Sequence, residues 1–249
     1  ASIGREIARR IGVEGEIVTT AWDGILAGLL AKKYDTIVGS MTITPEREKV
    51  VDFVGPYYHA GRAVFVAEGS DIQSLADIKG KTVGVTLGET HEKWARTQDG
   101  WSVRTYKGLP ELLLELQADR VQAIIADNIP VRVAIKENGA KLRQLDTPDI
   151  EGGSVAIGIA INKKNPELAA AMQAALDEMM ADATDDAIAI EWVGAHIRCL
   201  LAGTHPAGGA GASCPADAPI GAAHACRRHL RRLSGRPSGG ARISRWRAA

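Results

Sequence analysis

Three short stretches of the sequence carry residues that could bind a small charged ligand. Arg47 ends the run Thr42-Ile-Thr-Pro-Glu-Arg47, and a guanidinium presents a planar fork that matches a carboxylate bidentately. The segment Gly88-Glu-Thr90 follows a predicted strand and opens a predicted helix, where backbone N–H groups and the positive helix end favour an anion. Asp127 ends an apolar strand, where a carboxylate is costly unless it has a partner. These residues could together pair with both an anionic group and a cationic group of a ligand.

Each of these residues also has a simpler structural explanation. Arg47 stands between two glutamates and could lie at the surface. Asp127 could cap the helix that follows it. Ser40 and Thr42 could serve in capping the helix that begins at 44–46, where a proline stands in the first turn. From residue types alone, these alternatives stay open.

The histidines and cysteines form no recognisable catalytic or metal-binding pattern. His59 and His91 lie beside the stretches named above, but nothing pairs them at catalytic spacing. Residues 1–198 contain no Ser/His/Asp, Cys/His or metal-ligand arrangement. The three cysteines all lie beyond residue 198, and their positions give no CxxC pair and no usual zinc spacing. We therefore expect no catalytic residue, no metal and no cofactor.

The formal net charge is zero, but the charge is unevenly distributed along the 249 residues. Residues 199–249 hold eight arginines and the single acid Asp217, which gives 8 − 1 = +7, so residues 1–198 carry 22 − 29 = −7. Three interpretations of this tail compete: a basic arm for nucleic acid, a Cys/His metal site, or sequence without a selected fold. The tail contains arginine but no lysine, and its other residues are mostly Ala, Gly and Pro. This composition favours the third interpretation, for example a GC-rich gene that is translated out of frame. We expect 199–249 to be a disordered Arg/Ala/Gly-rich tail.

The rest of the chain alternates between apolar strands and amphipathic helices. Isoleucines at helical spacing in 3–11 predict an opening amphipathic helix. No stretch approaches the ~20 apolar residues of a membrane span. Strands are predicted over 16–19, 36–38, 62–67, 81–85, 103–106, 123–125 and 154–161, and helices over 23–33, 89–97, 109–118, 129–136 and 166–180. This order indicates two α/β units.

Four ordered segments then give the sequence a family resemblance. They are 21–35; 39–47 with 51–53 and 56–58; 69–72 with 75–85 and 88–90; and 122–127, followed by 190–194. The chain resembles the family 3 periplasmic solute-binding proteins, the amino-acid receptors of ABC importers. The run Thr42 to Arg47 is the most specific part. The resemblance ends where the composition of the tail begins, and it implies that a first strand and a signal peptide precede Ala1.

The resemblance implies an α/β fold of the two-lobe periplasmic binding protein type (type II), with two crossover strands as the hinge. Lobe 1 would comprise residues 1–61 and 153–198, and lobe 2 residues 62–152. The crossovers would lie near 60–62 and 151–153. A single ligand would lie in the cleft between the lobes.

The resemblance also implies roles for individual residues. Arg47 would bind the ligand carboxylate, Thr90 would make a second carboxylate contact, and Asp127 would take the ligand ammonium. Trp22 would pack against the ligand side chain, although a Trp in a short loop is otherwise more often part of a core. The ligand-binding residues are therefore expected to be Trp22, Ser40, Thr42, Arg47, Thr90 and Asp127. Glu89 could favour a cationic ligand side chain, or be an exposed acid in the first turn of a helix.

The implied function is periplasmic binding of a polar or charged amino acid and its delivery to an ABC transporter permease by hinge closure. The protein would be a monomer without nucleic-acid partners, and not an enzyme. Two alternatives use the same fold. One is a periplasmic dehydratase, which would need a base of perturbed pKa against its substrate. The other is a sensor input domain that biases a signalling partner.

Overall fold

The structure, a computed structural model, describes residues 2–193 and 245–248 of the chain. Its strands form two five-stranded mixed sheets, which we call sheet A and sheet B, and helices pack against both. The observed architecture is therefore α/β, in agreement with the alternation in the sequence.

Sheet A is built from both ends of the described chain. Its strands are β1 (Glu14–Ile17), β2 (Thr36–Thr42), β3 (Val51–Ala60), β9 (Val155–Asn162) and β10 (Arg245–Ala248), and the accompanying helices are α1 (Ser2–Ile11), α2 (Ile25–Leu30), α3 (Pro45–Glu48), α7 (Pro166–Ala181) and α8 (Thr184–Val193). The strand order is β1-β10-β2-β9-β3, with β9 antiparallel to both of its neighbours. As the spacing predicts, α1 and α7 each turn one apolar face inward, where Ile7, Met172 and Leu176 are fully buried.

Sheet B uses the middle of the chain. Its strands are β4 (Arg62–Ala67), β5 (Thr82–Thr86), β6 (Ser102–Tyr106), β7 (Ala123–Asp127) and β8 (Leu142–Gln144), and its helices are a 3₁₀ turn (Leu75–Ile78), α4 (Thr90–Ala95), α5 (Leu109–Gln117) and α6 (Asn128–Asn138). The order is β6-β5-β7-β4-β8, and β5 is parallel to both β6 and β7. The carboxyl ends of β5 and β7 thus share one edge, and the loops that follow them meet there.

The chain passes between the two sheets twice, and the two passages touch. β3 of sheet A ends at Ala60 and β4 of sheet B begins at Arg62, so Gly61 is the first link. The second link lies between β8 and β9, and the N–H of Arg62 donates to the carbonyl of Gly152 at 2.8 Å. A Cβ at position 61 would overlap the carbonyl of Gly153, so this close approach requires glycine there.

The C-terminal strand differs from the sequence prediction. Disorder was expected throughout 199–249, whereas the structure places β10 between β1 and β2, parallel to both. β10 pairs with β1 over four residues, from Glu14 with Arg245 to Ile17 with Ala248. Parallel strand edges present unpaired backbone groups, and a short extended segment can satisfy them. Residues 199–244 and 249, including the three cysteines, lie outside the described residues.

Among the residues that the structure describes, no helix is both long enough and apolar enough to cross a membrane.

Candidate functional site

A small polar cavity lies between the two sheets. Its lining comes from both sheets: Trp22, Ser40, Thr42 and Arg47 from the sheet A side, and Glu89, Thr90, His91 and Asp127 from the sheet B side. All six residues predicted from the sequence line this one cavity. Their binding of a ligand stays a prediction, which the arrangement below supports.

Arg47 brings the positive charge to the cavity. The residue belongs to α3, whose N-cap is Thr44, with Pro45 in the first turn. The Arg47 side chain turns back along the chain, and its Nη1 donates to the carbonyl of Thr42 at 2.8 Å. Burial lowers the pKa of Arg47, and the nearby carboxylates of Glu89 and Asp127 oppose that shift. Arg47 is therefore a partly desolvated cation that faces two acids, and not a surface arginine.

Ser40 and Thr42 stand on β2 in front of the guanidinium. Because Thr44 caps α3, neither residue serves as that cap. Ser40 has a positive φ of 56°, in the left-handed region that costs a residue with a side chain of order 1–3 kcal/mol. The hydroxyl of Tyr58 donates to the Ser40 hydroxyl, and the β2–β9 register shifts here. The backbone of β2 is therefore irregular at the point where Ser40 lines the cavity.

Trp22 forms the apolar wall of the cavity. It lies in the loop between β1 and α2, partly packed on the core that contains Ile25 and Leu29. The Arg47 guanidinium carbon lies 5.9 Å from the ring centroid, within the range of a cation–π contact. Trp22 thus belongs both to the core edge and to the cavity, so the two interpretations of this residue are compatible.

The loop after β5 is less open to an anion than its sequence predicts. The N–H of Gly88 donates to the Glu92 carboxylate at 2.8 Å, and the N–H of Glu89 donates to the Thr86 carbonyl at 3.3 Å. Two of the backbone donors expected for the ligand are thus already engaged. Thr90 lines the cavity directly after them, at the start of α4. Its N–H and hydroxyl are the groups this loop offers.

Asp127 faces the cavity and does not cap a helix. It stands at the N-cap position of α6, but its side chain makes no capping hydrogen bond. Its Oδ1 lies 3.3 Å from Nε2 of His91, whose side chain is only 4% exposed. Among the described residues, no donor is directed well enough at this buried oxygen to form a hydrogen bond. Asp127 is therefore a desolvated acceptor available to a cationic group in the cavity.

Glu89 is a second acid in the cavity, outside the six predicted binding residues but considered in the sequence as a contact for a cationic ligand side chain. Its side chain is 21% exposed, and its Oε2 lies 3.9 Å from Nε2 of His91. Burial raises the pKa of Glu89 to about 7, an effect that the Asp127 carboxylate strengthens and that His91 and Arg47 oppose. The sequence offered the alternative of an exposed first-turn acid, which this burial contradicts.

The two histidines considered in the sequence take different places. His91 is buried beside Asp127 and lines the cavity, with a buried Nδ1 that has no hydrogen-bond partner among the described residues. His59 lies on β3 and is not part of the lining. No group of three or more His, Cys, Asp or Glu side chains among the described residues has the geometry of a metal site.

A larger and more open depression lies at the edge of sheet B. Its volume is about 640 Å³, and it is lined by Ala67, Glu68, Gly69, Gln117, Gly139, Ala140, Lys141 and Leu142. Its charged residues are Glu68, which follows β4, and Lys141, which precedes β8, and the N–H of Glu68 donates to the carbonyl of Lys141 at 3.0 Å. This depression has fewer charged and polar lining residues than the cavity between the sheets.

Comparison with known proteins identifies the family. Residues 1–195 match the bacterial extracellular solute-binding proteins, family 3. The chain belongs to this family. It is similar to the L-cystine-binding protein TcyJ of Escherichia coli, with 34% identity covering 78% of this chain and 73% of that protein. It is also similar to the histidine-binding periplasmic protein of Salmonella typhimurium, with 30% identity covering 75% of each.

Solved structures agree with this assignment. An ancestral arginine-binding protein bound to glutamine superimposes on this solute-binding protein with a TM-score of 0.69 and 38% identity, over 76% of this chain and 84% of that one. The predicted family and the two-lobe periplasmic binding protein fold are thus confirmed. The family is extracellular, and these relatives are named as binding proteins, which confirms the predicted location and the prediction of a binder rather than an enzyme.

Proposed function

We propose that this solute-binding protein holds one polar or charged amino acid in the cavity between the sheets. The observation that carries the proposal is that one guanidinium, Arg47, and one largely buried carboxylate, Asp127, line the same small cavity from opposite sides. An α-amino acid carries the complementary pair, a carboxylate and an ammonium. Relatives named for cystine, histidine and arginine binding are consistent with this ligand class.

The charges of the ligand need partners because both ionic groups are strongly hydrated in water. A closed cavity has to replace that hydration with charge-assisted hydrogen bonds. Arg47 offers a bidentate fork to the carboxylate, and Thr90 offers a second contact from the opposite wall. Asp127 accepts from the ammonium. The ligand thereby links a residue of sheet A to residues of sheet B.

The remaining lining residues would position the ligand rather than carry its charges. Ser40 and Thr42 offer hydroxyls beside the carboxylate, and the Thr42 carbonyl holds the Arg47 fork in place. Trp22 supplies an aromatic face for the ligand side chain. These roles stay proposals.

Binding from both sides supports a closing movement of two lobes. Residues 1–61 and 153–198 would move as one lobe and 62–152 as the other, about the links at Gly61 and 151–153. The closed protein, acting as a monomer, would then present the amino acid to the permease of an ABC importer. The resemblance to the family supports this partner.

A ligand screen by thermal shift tests the proposal. We expect one or a few of the common amino acids or cystine to raise the unfolding temperature, since a ligand at 100 times its Kd adds about 2.7 kcal/mol of stability. The matching α-amide and N-acetyl derivatives serve as controls, because each removes one of the two charges. A screen in which no amino acid stabilises the protein, or in which the derivatives stabilise it equally well, would contradict the proposal.

A further inference from the structure

The cavity contains one more carboxylate than an α-amino acid backbone uses. Arg47 pairs with the ligand carboxylate and Asp127 with its ammonium, if the proposed function holds. Glu89 then remains in the same space without a counterpart from the backbone of the ligand. A charge left in a desolvated cavity has to be compensated by a proton, by a protein cation or by the ligand itself.

Arg47, a protein cation near Glu89, already pairs with the ligand carboxylate in the proposed function. The charged or titratable groups that face Glu89 are Arg47 from α3, His91 from α4 and Asp127 from β7. Nε2 of His91 lies closer to Asp127, at 3.3 Å, than to Glu89, at 3.9 Å, so His91 is positioned as a partner of Asp127 rather than of Glu89. Arg62 of β4 faces Asp127 and the carbonyl of Thr90 and not Glu89.

The position of Glu89 is also not explained by the fold. The residue stands at the N-cap of α4, yet its side chain makes no capping hydrogen bond. The neighbouring Glu92 serves the loop instead, by accepting from the N–H of Gly88. The Glu89 carboxyl therefore lines the cavity, where the Thr86 hydroxyl donates to it, and does not cap the helix.

We propose that Glu89 selects ligands with a positively charged side chain, by accepting a hydrogen bond from a second cationic nitrogen beside the His91–Asp127 pair. This proposal rests on the proposed function. The chemical class it selects is an amino acid with an ammonium or guanidinium on its side chain. A neutral amino acid leaves the Glu89 carboxylate with the Thr86 hydroxyl but without a cationic partner, and binds more weakly.

A proton on Glu89 can take the place of the second cationic nitrogen, so the pH dependence of ligand affinity also tests the proposal. Burial raises the pKa of Glu89 to about 7, so the carboxyl is partly protonated near neutral pH. A cationic ligand favours the ionised form and releases this proton. Its affinity therefore rises as the pH rises through about 7, whereas the affinity for a neutral ligand falls or stays level.

Arginine and citrulline provide the test, because citrulline has nearly the shape of arginine but a neutral side chain. Calorimetry at pH 8 measures both Kd values for the full chain, for Glu89→Gln and for the control Glu48→Gln, an exposed acid on α3. We expect arginine to bind more tightly than citrulline in the full chain and in Glu48→Gln. In Glu89→Gln this preference should fall by about tenfold or more, mostly through weaker arginine binding.

The outcomes separate the two proposals. If neither ligand nor any other amino acid binds the full chain, the proposed function fails. If arginine binds but its preference over citrulline survives in a folded Glu89→Gln, only the role of Glu89 is overturned. Titration at pH 6.5 in two buffers of different ionisation enthalpy adds an independent check: proton release with arginine supports the proposal, and no proton exchange with arginine overturns it.

Discussion

Arg47 is the residue whose removal should affect binding most directly. Its guanidinium is partly buried and faces two carboxylates across the cavity. We expect Arg47→Ala to leave a ligand carboxylate unpaired, at a cost of roughly 3–5 kcal/mol in binding free energy, and so to abolish measurable binding. Folding should change little, because α3 keeps its Thr44 cap.

Calorimetry and thermal unfolding check this prediction together. Arg96→Ala is the matched control, since it removes an arginine that is exposed and paired with Glu92. Near-normal affinity in a folded Arg47→Ala protein would show that the carboxylate is bound elsewhere.

Glu89 should make the stability of the protein depend on pH. Burial raises its pKa from the usual 4.5 to about 7, so the folded protein holds this proton more tightly than the unfolded chain. The resulting stabilisation is complete below pH 4.5 and is lost as the pH rises through about 7. Over this window the free energy of unfolding should fall by up to roughly 3 kcal/mol.

The variant Glu89→Gln removes this titration. We expect its free energy of unfolding to change less between pH 5 and pH 8 than that of the full chain, and to be the higher of the two at pH 8. Urea denaturation at four pH values measures both, with Glu48→Gln as the control. Equal slopes in the full chain and in Glu89→Gln would contradict the prediction.

The residues proposed to pair with the charges of the ligand could be located from the sequence, whereas the inward orientation of Glu89 and His91 could not. The Thr42 to Arg47 run and the acid at the end of β7 stand in a recognisable local context, and all six predicted residues line one cavity. Glu89 and His91 flank Thr90 in that context, which was the available signal. Whether their side chains turn inward depends on burial between two sheets that are distant in sequence.

At the scale of elements, the sequence predicts a helix or strand correctly where its apolar residues recur regularly, and fails where that pattern is interrupted. α7 agrees with its prediction within one residue, because its apolar residues recur at helical spacing. β3 runs for ten residues, yet it was not predicted as a strand. The Gly55-Pro56 pair in its middle is a turn signal, and the register with β9 shifts nearby.

Arg62 joins the second link between the sheets to the loop that carries Thr90. One of its guanidinium nitrogens donates to the carbonyl of Glu151, and the other donates to the carbonyl of Thr90 at 3.4 Å. The guanidinium carbon lies 4.5 Å from the ring centroid of Trp94. This single side chain therefore contacts both the loop that carries Thr90 and the second link between the sheets.

We expect Arg62→Lys to loosen both segments, because an ammonium cannot reproduce the planar fork or its stacking. Amide hydrogen exchange should become faster over 88–95 and 150–153, and the Kd for the ligand should rise by roughly tenfold or more. Arg104→Lys, an exposed arginine on β6, is the control. Unchanged exchange in both segments would show that Arg62 is not the connection.

At the scale of the whole molecule, the arrangement predicts that ligand draws the two lobes together. The cavity takes its lining from both sheets, and the chain passes between the sheets through the links at Gly61 and between β8 and β9. A ligand that bridges both sides stabilises the closed form. Small-angle scattering should show a smaller radius of gyration at saturating ligand, and Arg47→Ala should not respond. An unchanged radius of the full chain would contradict closure.

The C-terminal strand is the feature for which composition was a poor guide. An Arg-, Ala- and Gly-rich segment cannot bury enough apolar surface to order itself, which is why disorder was expected over 199–249. Composition accounts only for the apolar surface that a segment can bury by itself. A strand of four residues can instead be ordered by an existing sheet, and the gap between β1 and β2 supplies backbone partners on both sides.

This difference leads to a prediction about stability and binding. Trp246→Pro removes a backbone N–H in β10, opposite Gly15 of β1, and proline is not tolerated between two paired strands. We expect the unfolding temperature to fall by several degrees, since the loss of about 1–2 kcal/mol has that effect in a domain of this size. Ligand affinity should stay within about threefold of the full chain, because no cavity residue lies on β10. An unfolding temperature that does not change would show that sheet A is complete without the C-terminal strand, and a large loss of affinity would show that the strand supports the cavity after all.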